Sequence, residues 1–366
     1  MDIIIFSSYA FICKVNNYGS LLQYFALQTF LEKHGHNVKW LKYTRSEAKG
    51  INRYLRKKIL KSRYLKSEFI FHNKEEFNSF VVNNCHFSET YNDYKTLKKN
   101  PPMADIYIIG SDQVWAGYHP DKYLQWTPPN KKRISYAASF GKDNVKSFMK
   151  PLIWYYLNRY NAISVRELEG VNIINSCWHK NAKYVIDPTF LIEKEDYYQY
   201  ENHSTPLEGD FIYGYFVNPF NADKCPYENE LKEMENILRY KIYITAIQNA
   251  EYAFSNFNLV YPSPIGWIKN IDNSKYFITN SFHGIAFAIN TNTPFLFLPQ
   301  TGSSKVKNNR QISLLKKLGC EERIYNSSKG SLYKQITKPI DWNLINLNKE
   351  TFKRESIKFL LDNIQY

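Results

Sequence analysis

The chain has 366 residues, too many for one ordinary core and suited to two domains of about 150–200 residues each. Hydrophobic residues make up 44% and aromatics 17%, with 30 Tyr and 24 Phe, which excludes disorder and supplies material for globular cores. A formal charge of +14 suits an anionic substrate, an anionic membrane surface or nucleic acid, but no nucleic-acid motif accompanies it, and biased composition alone also produces such a balance.

Residues 3–6 form a buried-strand pattern, residues 20–33 have helical periodicity through Leu22, Phe25, Ala26, Thr29 and Phe30, and Gly35 precedes the strand at 38–41. This βαβ unit opens a parallel sheet. A basic, helix-rich insertion follows, from about residue 51 to 100. Within it, residues 53–63 alternate apolar and cationic side chains at helical spacing, as a solvated helix face or a membrane-surface helix does. Further strands are predicted at 106–109, 134–138, 162–165 and 184–186, so the first half reads as a Rossmann-like layer sandwich. An acidic, polar stretch at 193–209, with Pro206 and Gly209, suggests a hinge near residue 200.

A second α/β unit is predicted from 201 to 345. Its strands fall at 211–217, 241–246, 276–279 and 295–298, and its helices at 227–238, 281–290 and 311–318. An amphipathic helix closes the chain at 349–364, within a last segment counted from 346. The five cysteines, Cys13, Cys85, Cys177, Cys225 and Cys320, are scattered without a C-x-x-C pair, so neither a zinc site nor a disulfide framework is expected. Residues 1–6 carry an acid where a signal peptide needs positive charge, and no run approaches the length of a membrane span. A cytoplasmic protein, with peripheral membrane contact through basic surface, is the expectation.

In open α/β sheets ligands bind beyond the carboxyl ends of strands, so the loops there hold the candidate residues. Residues 279–284, Thr-Asn-Ser-Phe-His-Gly, end one strand and open a helix whose free backbone N–H groups favour an anion. His283 beside such an anion is a proton donor, or else a structural helix-end histidine. Residues 17–23, Asn-Tyr-Gly-Ser-Leu-Leu-Gln, offer the amides of Asn17 and Gln23 and a glycine, Gly19, for close approach. Residues 110–115, Gly-Ser-Asp-Gln-Val-Trp, bring a carboxylate, an amide and an indole together, a set that grips sugars; alternatively Asp112 caps a helix and Trp115 is core. Residues 136–141, Tyr-Ala-Ala-Ser-Phe-Gly, end a strand in small residues around Ser139. Arg166 stands at a strand end where it either clamps a carboxylate or phosphate or pairs with Glu167 on the surface. Asp187-Pro188-Thr189 reads as a turn with a structural aspartate. Arg310 follows the basic residues Lys305 and Lys307 and precedes a helix, again an anion-friendly place.

The motifs at 17–23, 110–115, 136–141, 165–167, 187–189 and 279–284, in this order, resemble the polysaccharide pyruvyl transferase family over residues 1 to about 325. The resemblance implies two Rossmann-like domains facing a cleft in a GT-B-like architecture. It also implies phosphoenolpyruvate as co-substrate, with no resident cofactor, and a cyclic pyruvate ketal on a hexose in a cell-surface polysaccharide precursor. On that chemistry His283 donates a proton to the donor's methylene carbon, and Arg166 and Arg310 clamp its carboxylate and phosphate. Asp112 orients or deprotonates the acceptor hydroxyl. Asn17, Tyr18, Gly19, Gln23, Ser111, Gln113, Trp115, Ser139, Asn280, Ser281 and Gly284 complete the binding set. Another branch of the family has Arg-Leu-His where this chain has Ser281-Phe282-His283, so Lys305, Lys307, Arg310 or the Ser281 hydroxyl must replace that arginine. No metal-ligand cluster is visible, and activity is expected to survive chelation. The acceptor is expected to be a lipid-linked saccharide. A GT-B glycosyltransferase using a nucleotide sugar and a non-catalytic carbohydrate-binding subunit are the alternatives.

Overall fold

The computed structural model describes residues 1–7, 17–44, 72–178, 181–200, 206–217, 225–247, 250–300 and 308–365. The basic stretch at 53–63 and Lys305 and Lys307 lie outside the described residues. Seven parallel strands form the first sheet: β1 (Asp2–Phe6), β2 (Asn37–Tyr43), β3 (Phe87–Tyr91), β4 (Ile106–Ile109), β5 (Lys132–Ala138), β6 (Ala162–Val165) and β7 (Lys183–Tyr184), in the order β3-β2-β1-β4-β5-β6-β7. Five parallel strands form the second: β8 (Phe211–Val217), β9 (Lys241–Ile247), β10 (Asn258–Leu259), β11 (Tyr276–Thr279) and β12 (Phe295–Phe297), in the order β10-β9-β8-β11-β12.

Strand order reverses between β1 and β4 in one sheet and between β8 and β11 in the other. Connections leaving neighbouring strands toward opposite faces open a crevice at such a point. The register there is unbroken: Ile5 pairs with Ile108, and Thr279 with Tyr215.

The helix Tyr18–Lys33 is buried on all sides from Tyr18 to Leu31, not along one stripe. It lies between the first sheet and the second domain, which explains why polar residues inside it are bonded individually. Gln28 accepts from the His86 N–H at 3.0 Å and donates to the Asn84 carbonyl at 3.1 Å, tying the inserted segment to the sheet. Tyr18 stacks on Trp267 with ring centres 5.2 Å apart, and its hydroxyl donates to the Pro262 carbonyl at 2.8 Å. One apolar cluster therefore runs from Ile5 and Leu22 through Phe190 to Phe287 and Leu315, joining the facing sides of both sheets. Two other clusters fill their outer sides.

The last helix, Trp342–Ile364, begins at an Asp341 cap and returns from the second unit to the first. Phe352 packs on Tyr184 at 4.7 Å, the Ile186 N–H donates to Ser356 Oγ at 2.8 Å, and Lys353 pairs with Glu193. Sequence reading omitted β3, β10 and the helices Lys150–Leu157, Leu168–Trp178 and Pro264–Asn273. The two strands are short edges with polar faces, where an alternating apolar pattern is weakest.

Candidate active site

The two switch points face each other across a cleft of about 300 Å³, at the small end of ligand sites, which span about 300–1,000 Å³. Asn17, Ser20, Asp112 and Gln113 line it from the first domain, and Val217, Asn280, Ser281, His283, Gln300, Arg310 and Gln311 from the second. A separate cavity of about 230 Å³ carries Glu75 and Glu76 and no cation among the described residues of its wall, so those residues do not suit an anion.

His283 sits in the first turn of the helix Phe282–Asn290 because the strand before it ends in a tight hydrogen-bonded turn. Thr279 Oγ1 donates to the Tyr215 carbonyl at 2.6 Å and accepts from the Ser281 N–H at 3.0 Å. Ser281 then caps the helix by accepting from the Gly284 N–H at 3.4 Å. A side chain at Gly284 would overlap Thr279. Gly19 has the same role across the domain boundary, since a Cβ there would occupy the position of the His283 ring. Gly19→Ala is thus expected to displace the imidazole and lower turnover at least about 100-fold, the scale of a misplacement near 1 Å, with a fold intact by circular dichroism.

Behind His283 lies a buried ionic network that sequence reading did not foresee. Asp187 is 1% exposed; its Oδ2 accepts from Ser111 Oγ at 2.7 Å and Arg166 Nη1 at 3.0 Å, and its Oδ1 from the Thr189 N–H at 3.1 Å. Nε2 of His283 stands 3.4 Å from Arg166 Nη1 and 3.7 Å from Asp187 Oδ2. A neutral ring accepts from the guanidinium with its lone pair, and a protonated ring turns its N–H to the carboxylate. Burial opposes ionisation of Asp187, yet the charge on His283, its hydrogen bond, Arg166 and the Ser111 hydroxyl together hold it well below the usual carboxylate range.

Asp112 has a left-handed backbone, φ 75°, and no helix follows it, so it caps nothing. Its carbonyl accepts from the Ser139 N–H at 3.0 Å, which fastens the strained turn to the end of β5. The side chain accepts from Ser20 Oγ at 2.8 Å and Arg166 Nη2 at 3.0 Å. Burial is outweighed here too: Arg166, His283 and Arg310 hold the Asp112 carboxyl well below its ordinary range.

Arg166 is not a cleft residue. At 2% exposure it is spanned by Asp112 and Asp187, its guanidinium lies 4.4 Å from the Phe282 ring centre, and its pair with Glu167, 3.9 Å from Nε to Oε2, is buried rather than on the surface. Its charge is committed to these carboxylates, which makes it a positioning residue. Arg310 does reach the cleft. With the Gln113 amide oxygen turned toward it, the guanidinium donates at 3.0 and 2.6 Å. Its recessed position and the charge of Arg166 push it down to about 10, which leaves it cationic at neutral pH.

Several other expectations need correcting. Trp115 is fully buried, stacks on Tyr123 and donates to the Lys122 carbonyl at 3.2 Å, because the left-handed turn at Asp112 sends it into the outer core. Tyr18 is the interdomain contact described above. Gln23 is buried, donating to Ser7 Oγ at 2.8 Å, and Ser139 and Ser111 stand behind the cleft wall. Asn280 lines the cleft, but its amide also holds both backbone groups of Val217, at 2.9 and 3.0 Å.

Gln300 and Gln311 were missed. Each donates its N–H, to Val217 at 3.3 Å and to Asn280 at 3.1 Å, and each has a buried side-chain oxygen without a partner among the described residues. Their place after β12 was the available signal.

A family model described as polysaccharide pyruvyl transferase matches residues 17–301. No curated protein matches the chain. Among solved structures, UDP-GlcNAc 2-epimerase of Methanocaldococcus jannaschii is similar in fold, with a TM-score of 0.52 at 12% identity over 98% of this chain and 99% of that one. A putative UDP-N-acetylglucosamine 2-epimerase from Listeria monocytogenes gives 0.50 at 10% identity, over 97% and 90%. At such identities the likeness concerns the fold alone, which is GT-B-like: two Rossmann-like domains around a cleft.

Proposed function

Because this chain belongs to the polysaccharide pyruvyl transferase family, we propose that it moves the enolpyruvyl unit of phosphoenolpyruvate onto two hydroxyls of a hexose, closing a cyclic ketal and releasing phosphate. The acceptor in this reading is a lipid-linked saccharide met at an anionic membrane face. The observation that carries it is the convergence of Arg310, a helix N-terminus and His283 on one side of a cleft whose other side presents Asp112. That set suits a small dianion which must be protonated on carbon.

The imidazolium of His283 protonates the methylene carbon, and C2 becomes electrophilic. A sugar hydroxyl adds to C2, then a second hydroxyl displaces phosphate. Of the two hydroxyl protons, one returns to the imidazole and the other leaves with the phosphate. Arg310 and the first-turn N–H groups hold the donor's anionic oxygens. Arg310 thus supplies the cation that relatives carry at the position of Ser281. Asp112, kept ionised by its neighbours, orients the acceptor hydroxyl.

Arg310→Ala is expected to raise the KM for phosphoenolpyruvate on the order of 10- to 100-fold, the loss of charge-assisted hydrogen bonds, with a smaller effect on kcat. Steady-state phosphate release measures both. Incubation with phosphoenolpyruvate and lipid-linked oligosaccharides, followed by mass spectrometry, tests the reaction itself. Gain of a pyruvyl ketal is expected; thermal stabilisation by a nucleotide sugar and not by phosphoenolpyruvate would overturn it.

A further inference from the structure

The short helix Lys150–Leu157 turns Ile153, Tyr156 and Leu157 into the outer core of the first domain. Its other face is apolar as well. Trp154 is 46% exposed and Tyr155 60%, Leu152 adjoins them, and Phe148, in the turn Ser147–Met149 just before the helix, is 74% exposed. Side chains of this size on a free surface have a reason to be there. Two observations indicate the occupant. From residue 144 to 158 the chain carries Lys146 and Lys150 and no acidic residue, so the charged side chains of the patch's own segment are cationic. Trp154 and Tyr155 each join an apolar body to a polar edge, the kind of side chain that partitions to the headgroup level of a bilayer, and Phe148 adds a wholly apolar ring.

The patch is also continuous with the cleft. Residues 141–143 connect them: Gly141 lines the cleft, Lys142 lies beside Arg310 in a small adjoining recess, and Asp143 accepts from Asn309 Nδ2 at 2.6 Å across the two domains. Among the described residues no helix is long and apolar enough to cross a membrane, so contact here is peripheral.

We infer that residues 146–155 form a bilayer-docking surface for anionic lipid, which Phe148, Leu152, Trp154 and Tyr155 enter while Lys146 and Lys150 meet the headgroups. The use of this surface, to bring a lipid-linked acceptor to the cleft rim, rests on the function proposed above; the docking itself does not. Apolar insertion and cationic attraction act together, since either alone gives only weak, reversible binding.

Sedimentation with vesicles of phosphatidylcholine, with and without phosphatidylglycerol, tests it in the absence of any substrate. The protein is expected to pellet with the anionic vesicles, in a salt-sensitive manner. Phe148→Glu with Trp154→Glu should lower the bound fraction on the order of tenfold or more, and Lys146→Glu with Lys150→Glu should abolish the preference for phosphatidylglycerol. Unchanged thermal unfolding of these surface variants shows that they fold. His283→Ala should bind vesicles as the parent does, which separates failure of docking from failure of the chemistry. No pelleting, pelleting unaffected by the aromatic substitutions, or a dimer that Phe148→Glu splits without any vesicle binding would each overturn the inference.

Discussion

His283→Ala is expected to bind phosphoenolpyruvate yet release phosphate, with acceptor present, about 10²–10⁴-fold more slowly than the parent, the range of a lost general acid. Donor affinity should survive because Arg310 and the N-terminus of the helix Phe282–Asn290 are separate from the ring. The ring is 7% exposed, lines the cleft and has Asp187 and Arg166 on its Nε2 side, so it has both access and a partner for either protonation state. Calorimetric titration of the donor and phosphate release measured on one preparation distinguish this outcome from unfolding. His283→Gln fills the same volume without a titrating group and should be equally slow. Unchanged turnover in either variant would end the proton-donor assignment.

Asp187→Asn should damage stability and turnover together. It removes one of the two carboxylates hydrogen-bonded to buried Arg166, leaving Asp112 and the more distant Glu167, and breaking a buried pair by removing one partner costs about 3–5 kcal/mol. Asp187 and Asp112 both ionise below their unfolded value, about 3.9. Their contribution is therefore fully present above that pH and is lost as pH falls from there toward the folded values. Urea unfolding should show a large gap between parent and Asp187→Asn at pH 7 that narrows on acidification below pH 4. A gap independent of pH would mean that the carboxylate's charge is not what matters. Turnover should fall at neutral pH because the imidazolium loses the acceptor that orients it, and Ser111→Ala, which removes a single hydrogen bond to the same oxygen, should show a milder version of both effects.

Local pattern alone located most of the strands, the helices beginning at Tyr18, Glu228, Phe282 and Asn309, and the loops that line the cleft. A parallel sheet explains why: each buried strand is a short apolar run, each crossover a helix, and the polar residues just after a strand have nowhere to go but its carboxyl end. Asn17, Asp112, Gln113, Asn280, Ser281 and His283 are placed on that ground, Arg310 by the basic residues before it and the helix after it, and all of them line the cleft. Side-chain direction was another matter. The left-handed backbone at Asp112 sends Trp115 outward, the burial of a whole helix commits Tyr18 and Gln23 to packing, and the pairing of Arg166 with Asp187 joins two strand ends 21 residues apart. The return of Trp342–Ile364 to the first domain also depends on contacts far apart in sequence. Periodicity reports which residues share an element. Which way a loop residue points, and which charges meet out of water, follow from distant packing and desolvation, and these were decided only when the two sheets came together.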